Sequence, residues 1–533
     1  MTAYLEKIFK EKLYRDLLFF FIVFFSIFNF IPENLRLNIL AGPLASKLSF
    51  YPLLLLFIFS IYSQYKYKNV FVNFKIFKNY FFVYIFFVLL SFIIGAYLYP
   101  YYDEVIVGPV NVSYKLSLII DYLNKFNISI SQNVLAFYYF LLWNIKNFLT
   151  YAFWYLIGSY LIYCLYYNSW QKAYKIIILG VLSALFVIFS YSIVEIFYLT
   201  GNEFAKEILI TINPYIHVVE SGYGWWPPLL LNGQLRSVFV EPSNIGLWSA
   251  FAIPFLWYKI FTLTNNIRII LLVTWANLCF LCFLTNARTV MALLVIELVL
   301  LLCSIIVYRR KDYINNVVLI FFSCISMFFF ANIFIQNCFV NNIFKINSVE
   351  KYVETNIASI TSTQKRSNSA RYSVAIANFK LGIDYPLFGV GYGLTDGYIR
   401  YYLPEMAENS GEVRMWIEQQ KDKGVIKSGF PKLNEYASLF AETGIIGLVV
   451  FLLPGLYLLS KLKTIILSKN IFVNKLPFIM FAISLLGVLA SGFSAVLNAF
   501  YCYWVLLGLG YAMCFGKEND VKDNGDTGSR QEH

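Results

Sequence analysis

The chain has 533 residues, 59% apolar and only 14% charged, which leaves too little polar surface for a soluble protein of this length. A formal charge of +12 would suit nucleic acid, but the lysines and arginines gather between apolar blocks, as in cytoplasmic loops of a multi-pass membrane protein. The two histidines, His217 and His533, argue against a histidine-built metal centre or a Ser-His-Asp triad, and the cysteines lie mostly inside apolar blocks and imply no disulfide framework.

In chain order, Lys7, Lys10, Lys12 and Arg15 precede the run "LLFFFIVFFSIFNFI". No small-residue cleavage site follows, so this reads as a signal anchor with its N-terminus inside. Apolar blocks of roughly 20 residues, enough to cross a bilayer, then predict spans at 17–32, 46–64, 79–98, 147–167, 176–199, 244–261, 268–285, 289–308, 315–335, 437–459, 476–493 and 495–514. Twelve spans put both termini on the cytoplasmic side. The basic clusters test this. Lys66, Lys68, Lys75 and Lys78, then Lys172 and Lys175, Lys259 and Arg268, Arg309 to Lys311, and Lys461 to Lys475 all fall on that side. Three longer segments, 99–146, 200–243 and 336–436, then face outward. The third has helical stretches, "ARYSVAIANFKLGI" and "EVRMWIEQQKDK". Residues 1–516 form one membrane domain, and 517–533 read as a disordered cytoplasmic tail.

The polar residues at the outer ends of spans carry the chemistry. Arg236 and Glu241 precede the sixth span, Arg288 lies between the seventh and eighth, and Arg366 and Arg371 lie in the third outer segment. All five share one side of the membrane. A guanidinium is a rigid, permanently charged fork that grips two phosphate oxygens, so the set suggests an anionic lipid headgroup or a lipid diphosphate. A single arginine of this kind can equally snorkel to the interface. Glu241 is either a general base or the ion-pair partner of Arg236. Glu297, in mid-span, is expected to bond another helix rather than to react. "DYPLFGVGYG", residues 384–393, reads as a tight turn that lets backbone approach something closely, and it contains Tyr392. Asn434 and Glu435 stand at the mouth of the tenth span. Cys279 and Cys282 form a CxxC inside an apolar span and read as packing.

"RSVFVEPSNIG", "TNARTVMALL", "SARYSVAIANFKLGIDYPLFGVGYG" and "LNEYASLFAETGIIGLVVFLL", in that order, resemble the O-antigen ligase and Wzy-type O-antigen polymerase superfamily over roughly residues 230–460. The resemblance implies an all-α, GT-C-like polytopic fold of about twelve transmembrane helices in the bacterial inner membrane, with a large helical periplasmic loop between spans nine and ten. It implies inverting, metal-independent glycosyl transfer without a cofactor. Donor and acceptor would be oligosaccharides linked to undecaprenyl pyrophosphate. A flippase and a chain-length regulator are the partners that go with such a role, and nucleic acid is not among them. Arg288 matches the arginine of an "SR"-like motif with alanine in place of the serine, Arg371 the arginine opening the outer-segment helix, and Arg236 the one before the sixth span. Arg288 and Arg371, with Glu241 as base, are the expected catalytic residues. Arg236, Arg366, Tyr392 and Asn434 are expected to bind substrate. Ligases usually carry a histidine where this chain has Leu433, which cannot accept a proton. The reading is therefore a polymerase. The ligase that moves polymer to lipid A core is the alternative. A transporter of lipid-linked oligosaccharide is a weaker one, because the polar groups cluster at one face rather than mid-membrane.

Overall fold

The computed structural model describes residues 2–37, 42–67, 75–107, 114–217, 233–308, 313–340, 366–425, 428–468 and 474–516. The predicted tail at 517–533 lies outside them, as does part of the third outer segment. Eighteen α-helices, and no strand, are found among the described residues. They are α1 (Thr2–Phe24), α2 (Phe50–Tyr67), α3 (Lys75–Leu98), α4 (Tyr102–Val107), α5 (Tyr114–Asn124), α6 (Gln132–Tyr166), α7 (Trp170–Leu199), α8 (Glu203–Ile216) and α9 (Pro242–Thr262). Then follow α10 (Asn265–Leu284), α11 (Arg288–Tyr308), α12 (Ile314–Cys338), α13 (Arg366–Asp384), α14 (Thr395–Tyr402), α15 (Gly411–Lys423), α16 (Glu435–Leu467), α17 (Leu476–Ser491) and α18 (Cys502–Phe515).

All twelve apolar blocks fall on helices. Eight helices among the described residues, α3, α6, α7, α9 to α12 and α16, are long and apolar enough to cross a membrane. The other four blocks fall on α1, α2 and the shorter apolar α17 and α18. The chain is thus an all-helical, multi-pass membrane protein. Its lateral surface agrees: Phe186, Ile306 and Phe322 are 68–73% exposed on helix faces that only lipid would tolerate.

Several boundaries differ from the sequence expectation, among them those of the first span, whose helix runs from Thr2 to Phe24, and of the fourth and last spans. The fourth span starts at Gln132, where Ser131 caps the helix by accepting from the Val134 amide at 3.4 Å. At 35 residues α6 is about 52 Å long, well beyond a bilayer core of about 30 Å, so much of the segment expected as an outer loop continues the helix. The last span starts at Cys502 rather than 495, because 492–501 is a turn whose backbone bonds to other helices.

Helix pairs α9/α17, α9/α11, α10/α12 and α6/α18 pack the bundle. Cys279 and Cys282 are fully buried in α10, as the packing reading expects. Glu297 of α11 sits against Gly487 of α17, where an added Cβ would come within 2.8 Å of its Oε1. Among the described residues neither of its oxygens finds a hydrogen-bond partner, so the expected helix-to-helix bond is not found there. Outside the bundle, α13, α14 and α15 form a cap with its own small core of Ala370, Val374, Ile399, Val413 and Phe430. Both helical stretches foreseen in this segment are present, as α13 and α15. The cap docks through α13 on α16.

The cap and bundle meet where α16 breaks. Gly444 has φ 65° and ψ −171°, inside an otherwise helical run. The break frees two carbonyls, and the glycine-rich segment fills them: the Val390 amide donates to the Ala441 carbonyl and the Gly391 amide to the Glu442 carbonyl, each at 2.9 Å. Ile445 donates back to the Pro386 carbonyl at 2.8 Å. Gly389 has φ 66°, and a Cβ there would lie 2.5 Å from the Ala441 carbonyl oxygen. We expect G389A to lose about 1–3 kcal/mol from the left-handed backbone alone, and more from the clash, seen as a lower melting temperature of detergent-solubilised protein. Melting at the wild-type temperature would contradict this pairing.

Candidate functional site

Asn434 caps α16 by accepting from the Ala437 amide at 3.0 Å, which leaves its Nδ2 to donate to the Phe493 carbonyl at 3.1 Å. The next residue, Glu435, donates its amide to the Gly492 carbonyl at 2.8 Å and accepts the Leu497 amide on Oε2 at 3.1 Å. The turn between α17 and α18 is therefore strapped across the start of α16. Arg371 of α13 joins from the cap, its Nη1 donating to the Ser494 carbonyl at 3.0 Å. Arg288, the first residue of α11, is half-buried close enough to Arg371 and Tyr372 to interact electrostatically with both. Two guanidiniums from distant parts of the chain thus share one end of the bundle.

Beside this strap lies a cavity of about 380 Å³. Its charged lining is Lys47, Lys432, Glu435 and Glu442, and its walls include Tyr84, Tyr151, Tyr155, Tyr392 and Trp504. Asn498 closes one side, held by Trp504 Nε1 donating to its Oδ1 at 2.9 Å and by the Tyr155 hydroxyl donating to its carbonyl at 3.2 Å. Glu442 is 1% exposed. Its Oε1 accepts from Lys432 Nζ at 2.6 Å and from the Gly393 amide at 2.9 Å. The ammonium of Lys432 also stands 5.0 Å over the Tyr392 ring. The glycines of the 389–393 segment let its backbone reach both the broken helix and this carboxylate. Asp396 accepts the Phe430 amide at 2.9 Å and so fixes the segment that carries Lys432. Burial raises Asp396 to about 6, against the pull of that hydrogen bond and of Lys432.

The two lysines are tuned in opposite directions. Lys47, just before α2, is lowered to about 7 by burial, which outweighs its attraction to Glu435. Lys432 loses hydration too, but the Glu442 charge and hydrogen bond, with Glu435 and Asp396, raise it above its ordinary value. Two-fifths of its side-chain surface stays accessible, and it lines the cavity.

Of the residues expected from sequence, Tyr392 lines the cavity, and Asn434, Arg371 and Arg288 gather around the strap beside it. Arg366 opens α13, but its side chain lies outside the described residues. Glu241 is the residue before α9, accepts from the Ser243 hydroxyl at 3.3 Å and does not line the cavity. Arg236 is 1% exposed and lies against Glu195 of α7 rather than in the cavity. Glu195 accepts the backbone amides of Arg236, at 3.2 Å, and Ser237, at 2.6 Å, and attracts the guanidinium. His217 is buried in the same cluster. Burial first, and the Arg236 charge second, push it well below its ordinary value and keep it neutral. Arg236 pairs with Glu195, 41 residues earlier, a partner the sequence reading did not consider. It also missed Lys47, Lys432, Glu435 and Glu442 as site residues. A signal existed for two of them: Glu435 and Glu442 are seven apart, two helical turns, and so share one face of α16. Among the described residues no group of three or more metal-ligating side chains is found.

The lysine tuning is testable by mass-spectrometric labelling with a small amine-reactive reagent from pH 6 to 9. The neutral amine reacts, so labelling of Lys47 should rise through about pH 7. Lys432 should stay protonated and slow across the whole range, and K432 labelling that tracks Lys47 would refute the Glu442 clamp.

Comparison with known proteins places this geometry. A family model described as O-antigen ligase matches residues 270–452, a stretch that takes in Arg288, Arg371, Tyr392, Lys432, Asn434, Glu435 and Glu442, with Arg236 and Glu241 ahead of it. No curated protein matches the chain. Over residues 270–452 the chain is thus similar to the O-antigen ligase and polymerase superfamily, within a multi-pass membrane protein.

Proposed function

We propose that this protein is a surface-polysaccharide polymerase of the inner membrane, with both termini cytoplasmic and its site facing the periplasm. It joins oligosaccharide repeat units carried on undecaprenyl diphosphate. A hydroxyl of the acceptor unit attacks the anomeric carbon of the donor chain from the face opposite the diphosphate. The new C–O bond forms as the bond from C1 to the phosphate oxygen breaks, and its electron pair leaves with the diphosphate. Configuration inverts, and no metal is required.

The observation that carries this reading is that Arg288 and Arg371 come within electrostatic range of each other near the turn that borders an aromatic-walled cavity. Like charges held together repel, and a diphosphate between them removes that repulsion. The relief grows as negative charge develops on the leaving oxygens, so it favours the transition state over the ground state. Aromatic walls with a few polar groups suit a saccharide. Arg236, buried against Glu195, supports the loop leading to α9 in this scheme rather than gripping phosphate.

The ligase reading keeps the same leaving group and changes the acceptor. Leu433, where ligases usually carry a histidine, favours the polymerase. A flippase delivering the repeat unit and a chain-length regulator are the partners this proposal calls for.

Replacing Arg288 or Arg371 by alanine should lower polymer formation by about 100-fold or more, the loss typical when a donor to a developing oxyanion is removed. The measurement is the surface polysaccharide ladder in the native host at matched protein levels. Loss of long chains with single repeat units left on the lipid supports the polymerase. Finished polymer stranded on the lipid would mean a ligase, and an unchanged ladder would refute the role of both arginines.

A further inference from the structure

We propose that Glu435 is the base that takes the proton from the acceptor hydroxyl, and that the aromatic-walled cavity it lines is the acceptor-sugar subsite. This rests on the glycosyl-transfer reading above.

A base for this reaction needs a carboxylate oxygen free to face the nucleophile and a fixed orientation. Two carboxylates line the cavity. Glu442 is committed, its Oε1 holding both Lys432 and the Gly393 amide. Glu435 is different. Its side chain is buried to 6% exposure, and Oε2 is pinned by the Leu497 amide. Oε1 accepts no hydrogen bond among the described residues, and the side chain lines the cavity. Oε2 orients the group, and the side chain borders the space a sugar would fill.

The location fits the leaving group as well. Arg371 binds the carbonyl of Ser494 and Glu435 binds the amide of Leu497. Those two residues are three apart in one turn, so at most about 11 Å of chain separates the two anchor points. An acceptor in the cavity and a diphosphate at the arginines would meet across that turn. Glu435 is the first residue of α16, next to the Asn434 cap, so the helix start fixes where its carboxylate is presented.

The step balances. The hydroxyl proton goes to Oε1 of Glu435 as the oxygen forms its bond to the anomeric carbon. The electron pair of the C1–O bond leaves on the diphosphate, facing Arg288 and Arg371. The protonated carboxyl then returns its proton to water through the cavity before the next cycle.

The test uses full-length protein in liposomes, with undecaprenyl-diphosphate-linked oligosaccharide extracted from the native host as substrate and undecaprenyl diphosphate as the binding probe. E435Q keeps an oxygen for the Leu497 amide but cannot accept the proton. We expect kcat to fall by 100-fold or more, affinity for undecaprenyl diphosphate to stay within threefold, and E435D to exceed E435Q by at least tenfold. Should E435Q lower the melting temperature, the comparison of E435D with E435Q decides: equal losses overturn the assignment. E435Q turning over within threefold of wild type also overturns it, as does a loss found in E241Q and not in E435Q. Wild-type protein that makes no new glycosidic bond refutes the glycosyl-transfer reading itself and the inference with it, whereas active wild type with an indifferent E435Q refutes the inference alone.

Discussion

A helix that breaks within a membrane bundle leaves carbonyls that cannot stay unbonded, and the break at Gly444 is the constraint on which this site depends. It lies nine residues into α16, about 14 Å from the helix start. The carbonyls of Ala441 and Glu442 are satisfied by amides of 390 and 391, and Ser91 of α3 adds its hydroxyl to the Glu442 carbonyl at 2.9 Å. Three parts of the chain, from before residue 100 to beyond 440, are joined at one point. With the break satisfied, the first turns of α16 are free to tilt Glu435 and Glu442 toward the cavity, and the Gly393 amide can reach the Glu442 carboxylate.

The charges around this joint divide into two kinds. Glu442 is buried beneath the partly accessible Lys432, and Glu195 is buried against Arg236, so removing either cation would strand a carboxylate in a dry environment. They hold structure in place. Arg288 and Arg371 stand within electrostatic range of each other, and each charge disfavours the other. Arg371 is anchored through Nη1 to a backbone carbonyl, which orients the fork. The contrast separates an arginine buried against a carboxylate from one that stands near a second arginine.

The strap between α17 and α18 gives the arrangement its coherence. It receives Arg371 from the cap, Asn434 and Glu435 from α16, and Tyr155 from α6, each through backbone atoms. Backbone recognition places few demands on side-chain identity, so such a joint leaves little trace in residue type. It nonetheless sets the distance between the cavity and the guanidinium pair.

Helix identity was legible from sequence because it is a local matter, apolar runs matched to bilayer thickness, whereas the caps Ser131 and Asn434, which bond within three residues, were not read as such. Also legible were the glycine turn at 389–393, whose spacing announced a close backbone approach, and the proximity of several arginines to one end of the bundle. Which arginine would be sealed against a carboxylate and which left beside another arginine was decided only in three dimensions. Glu195 lies 41 residues before Arg236, and Ser494 lies 123 residues after Arg371. No local pattern encodes such pairings, because burial and desolvation are set by which helices pack together, and that depends on the whole bundle. For the same reason the sequence offered Glu241 as the candidate base, at a visible helix start, while the cavity and the free oxygen of Glu435 emerged only once α6, α16 and the 492–501 turn were assembled around it.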